Sequence, residues 1–300
     1  MTVSVVMPTR DKEPRLRLSL RCLQRQDAAG FEVIVVDDGS SHDGIAPMVA
    51  ECLDAAVPHR MVRLEGMGRA AARNAGAAVA DGDIVLFLDD DILVPPGFVA
   101  AHLRAHADPG SARCLGSPAP GPVVVHGPLH ELPGAERLVA TAPADPYAAA
   151  RDGTFGRTVV NALERMVAAM AAGHAPAIAG WLACVGANVS FPRSAWRQAG
   201  GFDEAFGVGW GCEDLELGYR LLSTGARMLV AADAGGVHLS HSRPGRWDEH
   251  AGTFRHFATK HPHPTVQALP ELLSATGSVT RYLSALGCAQ PSSPVAQGVR

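Results

Sequence analysis

Two apolar runs in this chain stop abruptly on acids. Val33 to Val36 leads into Asp37-Asp38-Gly39-Ser40-Ser41, and Leu86-Phe87-Leu88 leads into Asp89-Asp90-Asp91. Short, nearly continuous apolar runs suit strands covered on both faces, as in a parallel sheet layered by helices. The acids therefore mark the carboxyl ends of two strands, where open α/β sheets place their ligands. A third run, Ser4 to Met7, has the same character and ends in Pro8-Thr9-Arg10. In a parallel sheet those residues lie beside Asp37 and Asp38.

The intervening segments carry helical spacing. Leu16, Leu20 and Leu23 recur on one helical face, Arg69 to Ala80 is alanine-rich, and Gly97 to His106 follows the Pro95-Pro96 turn. Val62 to Leu64 is a further strand candidate. The expected class is α/β, with a mostly parallel, Rossmann-like sheet flanked by helices. From Asp108 to Asp152 the composition shifts to Pro, Gly and Ala, which predicts loop, partly mobile, around a single strand at Val123 to His126. Helices are then expected over Arg157–Ala172, Ser194–Ala199, Glu213–Thr224 and Arg246–Lys260. Strands are expected near Gly186–Phe191, Met228–Ala231 and Val237–Leu239, and Gln290 to Arg300 should fray.

Composition removes several function classes. A net charge of −4 over 300 residues provides no field for nucleic acid, while local basic pockets leave peripheral membrane association open. Six scattered cysteines without a CxxC pair read as reduced thiols of a cytoplasmic protein. The stretch Val159 to Val189 is interrupted by Glu164, Arg165, His174, Pro176 and Gly180, so it lacks the roughly 20 apolar residues of a membrane span. No secretory leader precedes Val3, and a soluble protein is expected.

Four blocks, SVVMPTR, FEVIVVDDGSSHDG, GRAAARNAGAAVADGDIVLFLDDDI and NVSFPRSAWRQAGGFDEAFGVGWGCEDLELGYRL, together resemble family 2 glycosyltransferases with the GT-A fold. The resemblance implies a nucleotide-sugar-binding half over 1–107 and a variable insertion over 108–180. A smaller acceptor and catalytic half follows over 181–245, then a helical C-terminal region over 246–300. It places Pro8, Thr9 and Arg10 in the base pocket, with Asp38 accepting from the base and Asp37 nearby. Arg73 approaches the nucleotide. The family often has an aromatic residue where Arg10 stands, which leaves the base's stacking partner open.

Three consecutive acids after a buried strand repel one another unless a cation or hydrogen bonds relieve them, and hard oxygen ligands suit Mn2+ or Mg2+. The resemblance makes Asp91 the metal ligand, with Asp89 and Asp90 on the donor. A histidine, His238 or His241, completes the metal site. Strand alternation separates those two, and His241 is favoured because the adjoining Ser242-Arg243 resembles galactosyltransferase-like members. In Gly207-Val208-Gly209-Trp210-Gly211-Cys212-Glu213-Asp214-Leu215-Glu216, Asp214 is expected to be the general base and Glu213 a sugar ligand. Trp210 and Gly211 are placed at the acceptor, and Asn188 near the sugar. Glu216 reads as surface and Trp181 as core. The implied activity is metal-dependent, inverting transfer from a nucleotide-sugar, a UDP-sugar first, to a glycan or small-molecule acceptor. A non-catalytic sugar-nucleotide or glycan binder and a sugar nucleotidyltransferase are the rival readings.

Overall fold

The computed structural model describes residues 1–116 and 120–288. The first half runs β1 (Val3–Thr9), α1 (Glu13–Gln24), β2 (Phe31–Asp38), α2 (Ile45–Cys52), β3 (His59–Leu64), α3 (Arg69–Ala78), β4 (Ile84–Leu88), β5 (Ile92–Leu93) and α4 (Phe98–Ala107). The middle contains β6 (Arg113–Leu115), β7 (Val123–His126), β8 (Leu129–Leu132), α5 (Glu136–Thr141), α6 (Pro146–Arg151) and α7 (Ala162–Ala171). The remainder is β9 (Asn188–Pro192), α8 (Arg193–Ala199), α9 (Glu213–Ser223), β10 (Arg227–Val230), β11 (Gly236–Leu239), α10 (Arg246–Lys260), α11 (Pro264–Gln267) and α12 (Val279–Ala285).

Continuous apolar strands feed two cores at once, because successive side chains leave opposite faces of the sheet. Val6, Val85 and Phe87 pack on one side with residues of α3, α9, α10 and α12. Val5, Met7, Leu86 and Leu88 pack on the other with α1, α2 and α4. The strands form a sheet of order β3-β2-β1-β4-β9-β7-β10-β6. β3, β2, β1 and β4 run parallel, as do β7 and β10, whereas β9 is antiparallel to both neighbours and β6 to β10. Strand order reverses at β1, so the crevice outside the carboxyl ends of β1 and β4 is the switch point at which such sheets bind ligands. The register sets Thr9 beside Asp37, as the sequence required.

The segment expected to be loop is largely structured. β6 and β7 belong to the main sheet, and β8 joins β5 and β11 in a second sheet of order β5-β11-β8. The strands that β7 and β8 pair with in parallel, β10 and β11, lie roughly a hundred residues downstream, beyond the reach of local pattern. The helix expected from Arg157 starts at Ala162, because the Asn161 side chain caps it by accepting from Glu164 N–H and Val159 is drawn into a bridge with Glu131. Trp181 is core as expected, its ring packed edge-on against Phe257. The tail Gln290–Arg300 lies outside the described residues. Among the described residues no helix is long and apolar enough to cross a membrane.

One contact joins the two halves of the chain at backbone level. Gly68, at φ +94°, precedes α3, and a Cβ there would run into the Gly207 carbonyl. Gly68→Ala therefore combines a left-handed backbone with overpacking. It should lower stability by about 1–3 kcal/mol in urea unfolding.

Candidate active site

A cleft of ≈ 1040 Å³ opens over the carboxyl ends of β1, β2 and β4 and is closed on its far side by α7, α9, α10 and residues 272–277. Pro8, Thr9, Arg10 and Asp38 line one end. Adjacent strand residues point to opposite sides, and this separates the two acids that end β2. Asp38 faces the cleft and accepts from the backbone N–H groups of Met67 (2.7 Å) and Gly68 (2.8 Å). Asp37 does not reach the cleft wall. Its carboxylate is buried, taking hydrogen bonds from Arg63 (2.6 Å) on the neighbouring strand and from Ser40 N–H (2.9 Å). It fastens the turn after β2. Thr9 donates to Asp90 (2.8 Å), so of this triplet Arg10 is the side chain left half-exposed at the rim.

The three acids after β4 have three different surroundings. Asp89 accepts from Arg73 (2.8 Å), whose other terminal nitrogen donates to Glu213 (2.8 Å). Arg73 is only 2% exposed, and its guanidinium also stacks 5.5 Å from Phe202. Burial opposes its charge, but Asp89, Glu213 and Asp214 outweigh burial and raise its pKa further. Asp90 is pushed up to about 6 by burial against the opposing charge of Lys12 and the adding charge of Asp91.

Asp91, also 2% exposed, is surrounded by an ammonium and two imidazoles. Lys12 Nζ stands 2.8 Å away, His238 Nε2 3.5 Å and His241 Nε2 3.4 Å. Burial would raise its pKa, but His238 and Lys12 together hold it well below the carboxylate range. Both histidines face Asp91, contrary to the alternation argument, because β11 stops at Leu239 and the chain leaves extended register before His241. His238 is held from behind. Its Nδ1 lies 2.7 Å from Glu131, which also accepts from Ser240 (2.6 Å) and Asn161 (3.0 Å). Against the desolvation of burial, Asp91 and Glu131 raise His238 to about 10, and the bonds to Glu131 bring that acid down to about 2.

Carboxylate oxygen and imidazole nitrogen are donors that Mn2+ or Mg2+ accepts, and a buried carboxylate flanked by two imidazoles fits such an ion. Among the described residues, no three His, Cys, Asp or Glu side chains are already arranged to hold one. Protein cations compensate the acids instead. Lys12 and Glu131 went unrecognised in the sequence. Lys12 is a single base between Asp11 and Glu13, and Glu131 lies in a four-residue strand without a motif.

The opposite wall is built by α9. Cys212, at φ +72°, turns the chain sharply so that Glu213 and Asp214 open the helix, a strained conformation of order 1–3 kcal/mol for a residue with a Cβ. Glu213 is committed to Arg73. Asp214 accepts from Gly186 N–H (2.7 Å) and its neighbour Leu215 N–H (2.8 Å) and lines the cleft. Burial, then the charge of Glu213, pushes its pKa up to about 6 in spite of Arg73. Trp210 and Gly211 line the same wall, with the Trp210 ring 5.9 Å from Trp247 and 5.7 Å from His250.

Two expectations are corrected. Asn188 is fully buried, donating to the carbonyls of Gly127 and Ala234 with its side-chain oxygen 3.0 Å from His102 Nε2, so it ties β9 to the loops beside it and is not among the residues lining the cleft. Glu216 is likewise buried and holds Arg220, Lys260 and His261, clamping α9 against the end of α10.

An acid-lined cleft at the switch point of an α/β sheet is the setting for a ligand, and the comparisons identify the family. The model of Glycosyl transferase family 2 matches residues 4–147, and that of the N-terminal domain of galactosyltransferase matches 174–242. The chain belongs to glycosyltransferase family 2 and has the GT-A fold. It is 35% identical to the validoxylamine A glucosyltransferase of Streptomyces hygroscopicus subsp. limoneus, over 91% of this chain and 59% of that one. It is 28% identical to the pre-mycofactocin glycosyltransferase of Mycobacterium tuberculosis, over 95% and 53%. The chain thus spans between half and two thirds of the length of these curated relatives. Among solved structures, the mannosyltransferase PcManGT from Pyrobaculum calidifontis, in complex with GDP-Man and Mn2+, superposes with a TM-score of 0.60 at 20% identity, covering 98% of this chain and 77% of that one. S. aureus TarS 1–349 in complex with UDP-GlcNAc gives 0.61 at 16%, covering 95% and 73%.

Arg73 is the residue on which both walls rest. Arg73→Met leaves Asp89 and Glu213 without their buried cation and should reduce stability by about 3–5 kcal/mol in chemical denaturation.

Proposed function

We propose that the chain is a metal-dependent, inverting glycosyltransferase that moves a sugar from a UDP-sugar to an acceptor hydroxyl. The observation that carries this reading is that a cation-ready acid, Asp91, and a base with a raised pKa, Asp214, face one cleft. Residues 1–107 are assigned to the donor and 181–245 to catalysis and the acceptor. Asn161 and Glu164 of the 108–180 segment and Leu272–Gly277 line the acceptor end. The relatives named for validoxylamine A favour a glucosyl donor and a small-molecule acceptor. Free cysteines throughout suit a cytoplasmic location.

Asp91, with His238 and His241, is the set that would hold Mn2+ or Mg2+, which when bound supplies Lewis-acid stabilisation of charge on the leaving diphosphate. Arg73 holds Asp89 by a 2.8 Å charge-assisted bond at the cleft wall, where it would meet the donor. Asp214 accepts the proton of the acceptor hydroxyl while that oxygen forms its bond to the anomeric carbon. The bond from that carbon to the diphosphate oxygen breaks in the same displacement, and nucleoside diphosphate departs. Attack from the face opposite the leaving group inverts the configuration. Asp214 suits the proton better than Glu213, because Glu213 is tied to a permanent cation and Asp214 accepts only from neutral N–H groups.

Asp214→Asn should retain the thermal stabilisation given by UDP-glucose with Mn2+ and lose about 10²–10⁴-fold in turnover. Full turnover by that variant would remove Asp214 from the base role, and loss of ligand-induced stabilisation would make it a binding residue. The pH profile provides a second check. A base must be unprotonated to work and Asp214 is raised, so kcat/KM should fall as pH drops through about 6.

A further inference from the structure

Lys12 occupies an unusual position for a residue that no motif singles out. It precedes α1 in the turn after β1, and its side chain, 28% exposed, reaches down into the cleft. Its ammonium contacts Asp91 Oδ2 at 2.8 Å and Asp90 Oδ1 at 3.2 Å. The remaining Asp91 approaches come from His238 on Oδ1 and His241 on Oδ2. Both oxygens of the expected metal ligand are therefore engaged by protein, and the closest contact is the ammonium. A divalent ion taken up by Asp91 would share that carboxylate with a positive charge a few ångströms away. The two repel, and Lys12 is the partner able to move. Its four-carbon stem swings freely, whereas His238 is held by Glu131.

Moving Lys12 off Asp91 leaves its charge in the same cleft, lined by Arg10 and Arg69 and by acids that already hold partners of their own: Asp38, Asp89, Glu131, Glu213 and Asp214. A compact ammonium released there needs an anion, and the diphosphate of a sugar nucleotide is the anion that this cleft is shaped to receive. We propose that Lys12 is the resident counter-ion of Asp90 and Asp91, gives way to the divalent cation, and transfers its contact to the donor diphosphate. This rests on the metal-dependent reading above. Metal alone then binds weakly, because Lys12 must leave its acids with nothing to receive it. Metal with nucleotide binds well, because the displaced charge is satisfied. Lys12 couples the two ligands, and coupling of this kind is reciprocal.

Isothermal titration with Mn2+ alone, and with UDP at saturating Mn2+, separates the two contacts without any turnover. Lys12→Met should bind Mn2+ alone about tenfold more tightly than the wild type and UDP–Mn2+ about tenfold more weakly, opposite signs from one substitution. Lys12→Arg keeps a cation on the acids, with a firmer fork-like grip on a carboxylate. It should bind Mn2+ alone more weakly than the wild type while retaining UDP affinity, and it carries the test if the methionine variant folds poorly. Unchanged or weaker Mn2+ binding by Lys12→Met, or Mn2+ binding by Lys12→Arg as tight as wild type, overturns the inference while leaving the donor site intact. Failure of the wild type itself to bind Mn2+ or UDP overturns the metal-dependent reading and the inference with it.

Discussion

A buried guanidinium holds this site together. Arg73 lies under the cleft and donates to Asp89 at the end of β4 and to Glu213 at the start of α9, residues far apart in the chain. An arginine cannot shed its proton to escape burial, so the fold must bring it carboxylates. The distance between the end of β4 and the start of α9 is thus set by two short charge-assisted bonds and not by the intervening loops. Gly186 shows how tightly this is drawn. A Cβ on it would meet the Arg73 guanidinium, and its N–H is the one that holds Asp214. One backbone position therefore packs on the bridge and orients the neighbouring acid. Among the described residues, Glu213 Oε2 and Arg73 Nε have no hydrogen-bond partner.

The same logic explains how the cleft tolerates Asp38, Asp89, Asp90, Asp91, Glu131, Glu213 and Asp214 in its lining. Backbone N–H groups serve Asp38 and Asp214, Arg73 serves Asp89 and Glu213, Lys12 serves Asp90 and Asp91, and His238 serves Glu131. Burial raises Asp214, with the charge of Glu213 adding to it, and raises Asp90 against the charge of Lys12. At Asp91 the charges of His238 and Lys12 overcome burial and lower it. Acids of one residue type thereby acquire different proton affinities within a single cleft, which is the separation that a metal ligand and a general base require.

What was legible in the sequence follows from this. The strands β1, β2 and β4 are written in runs long enough to be buried on both faces, and the acids at their ends could only lie at the crevice. Arg73, Asp91 and Asp214 could be singled out as cleft residues because they fall within blocks resembling the family. Asp37 could not be told from Asp38 without the side of the strand that each takes, which the register with Arg63 on β3 decides. Asn188 and Glu216 were misplaced for the opposite reason. Polar residues near a motif look functional or exposed, and only the tertiary structure supplies the carbonyls and cations that let them be buried. β6 and β8 were invisible because their partners, β10 and β11, come from the far end of the chain.

That last point bears on the segment between residues 108 and 180, which lies outside the four sequence blocks. It does not simply cap the cleft. β8 runs beside β11 in register with His238 opposite Glu131, and the Glu131 carboxylate takes the inner nitrogen of that histidine. Asn161, which caps α7 with its side-chain oxygen, donates its amide to the same carboxylate. Glu164, one turn into α7, is buried against His126 of β7 and lines the cleft beside Asn161. Through Glu131 and Asn161 this segment therefore holds His238 and shapes the wall of the cleft beside it. Sequence change at either residue should disturb both the hold on His238 and that wall.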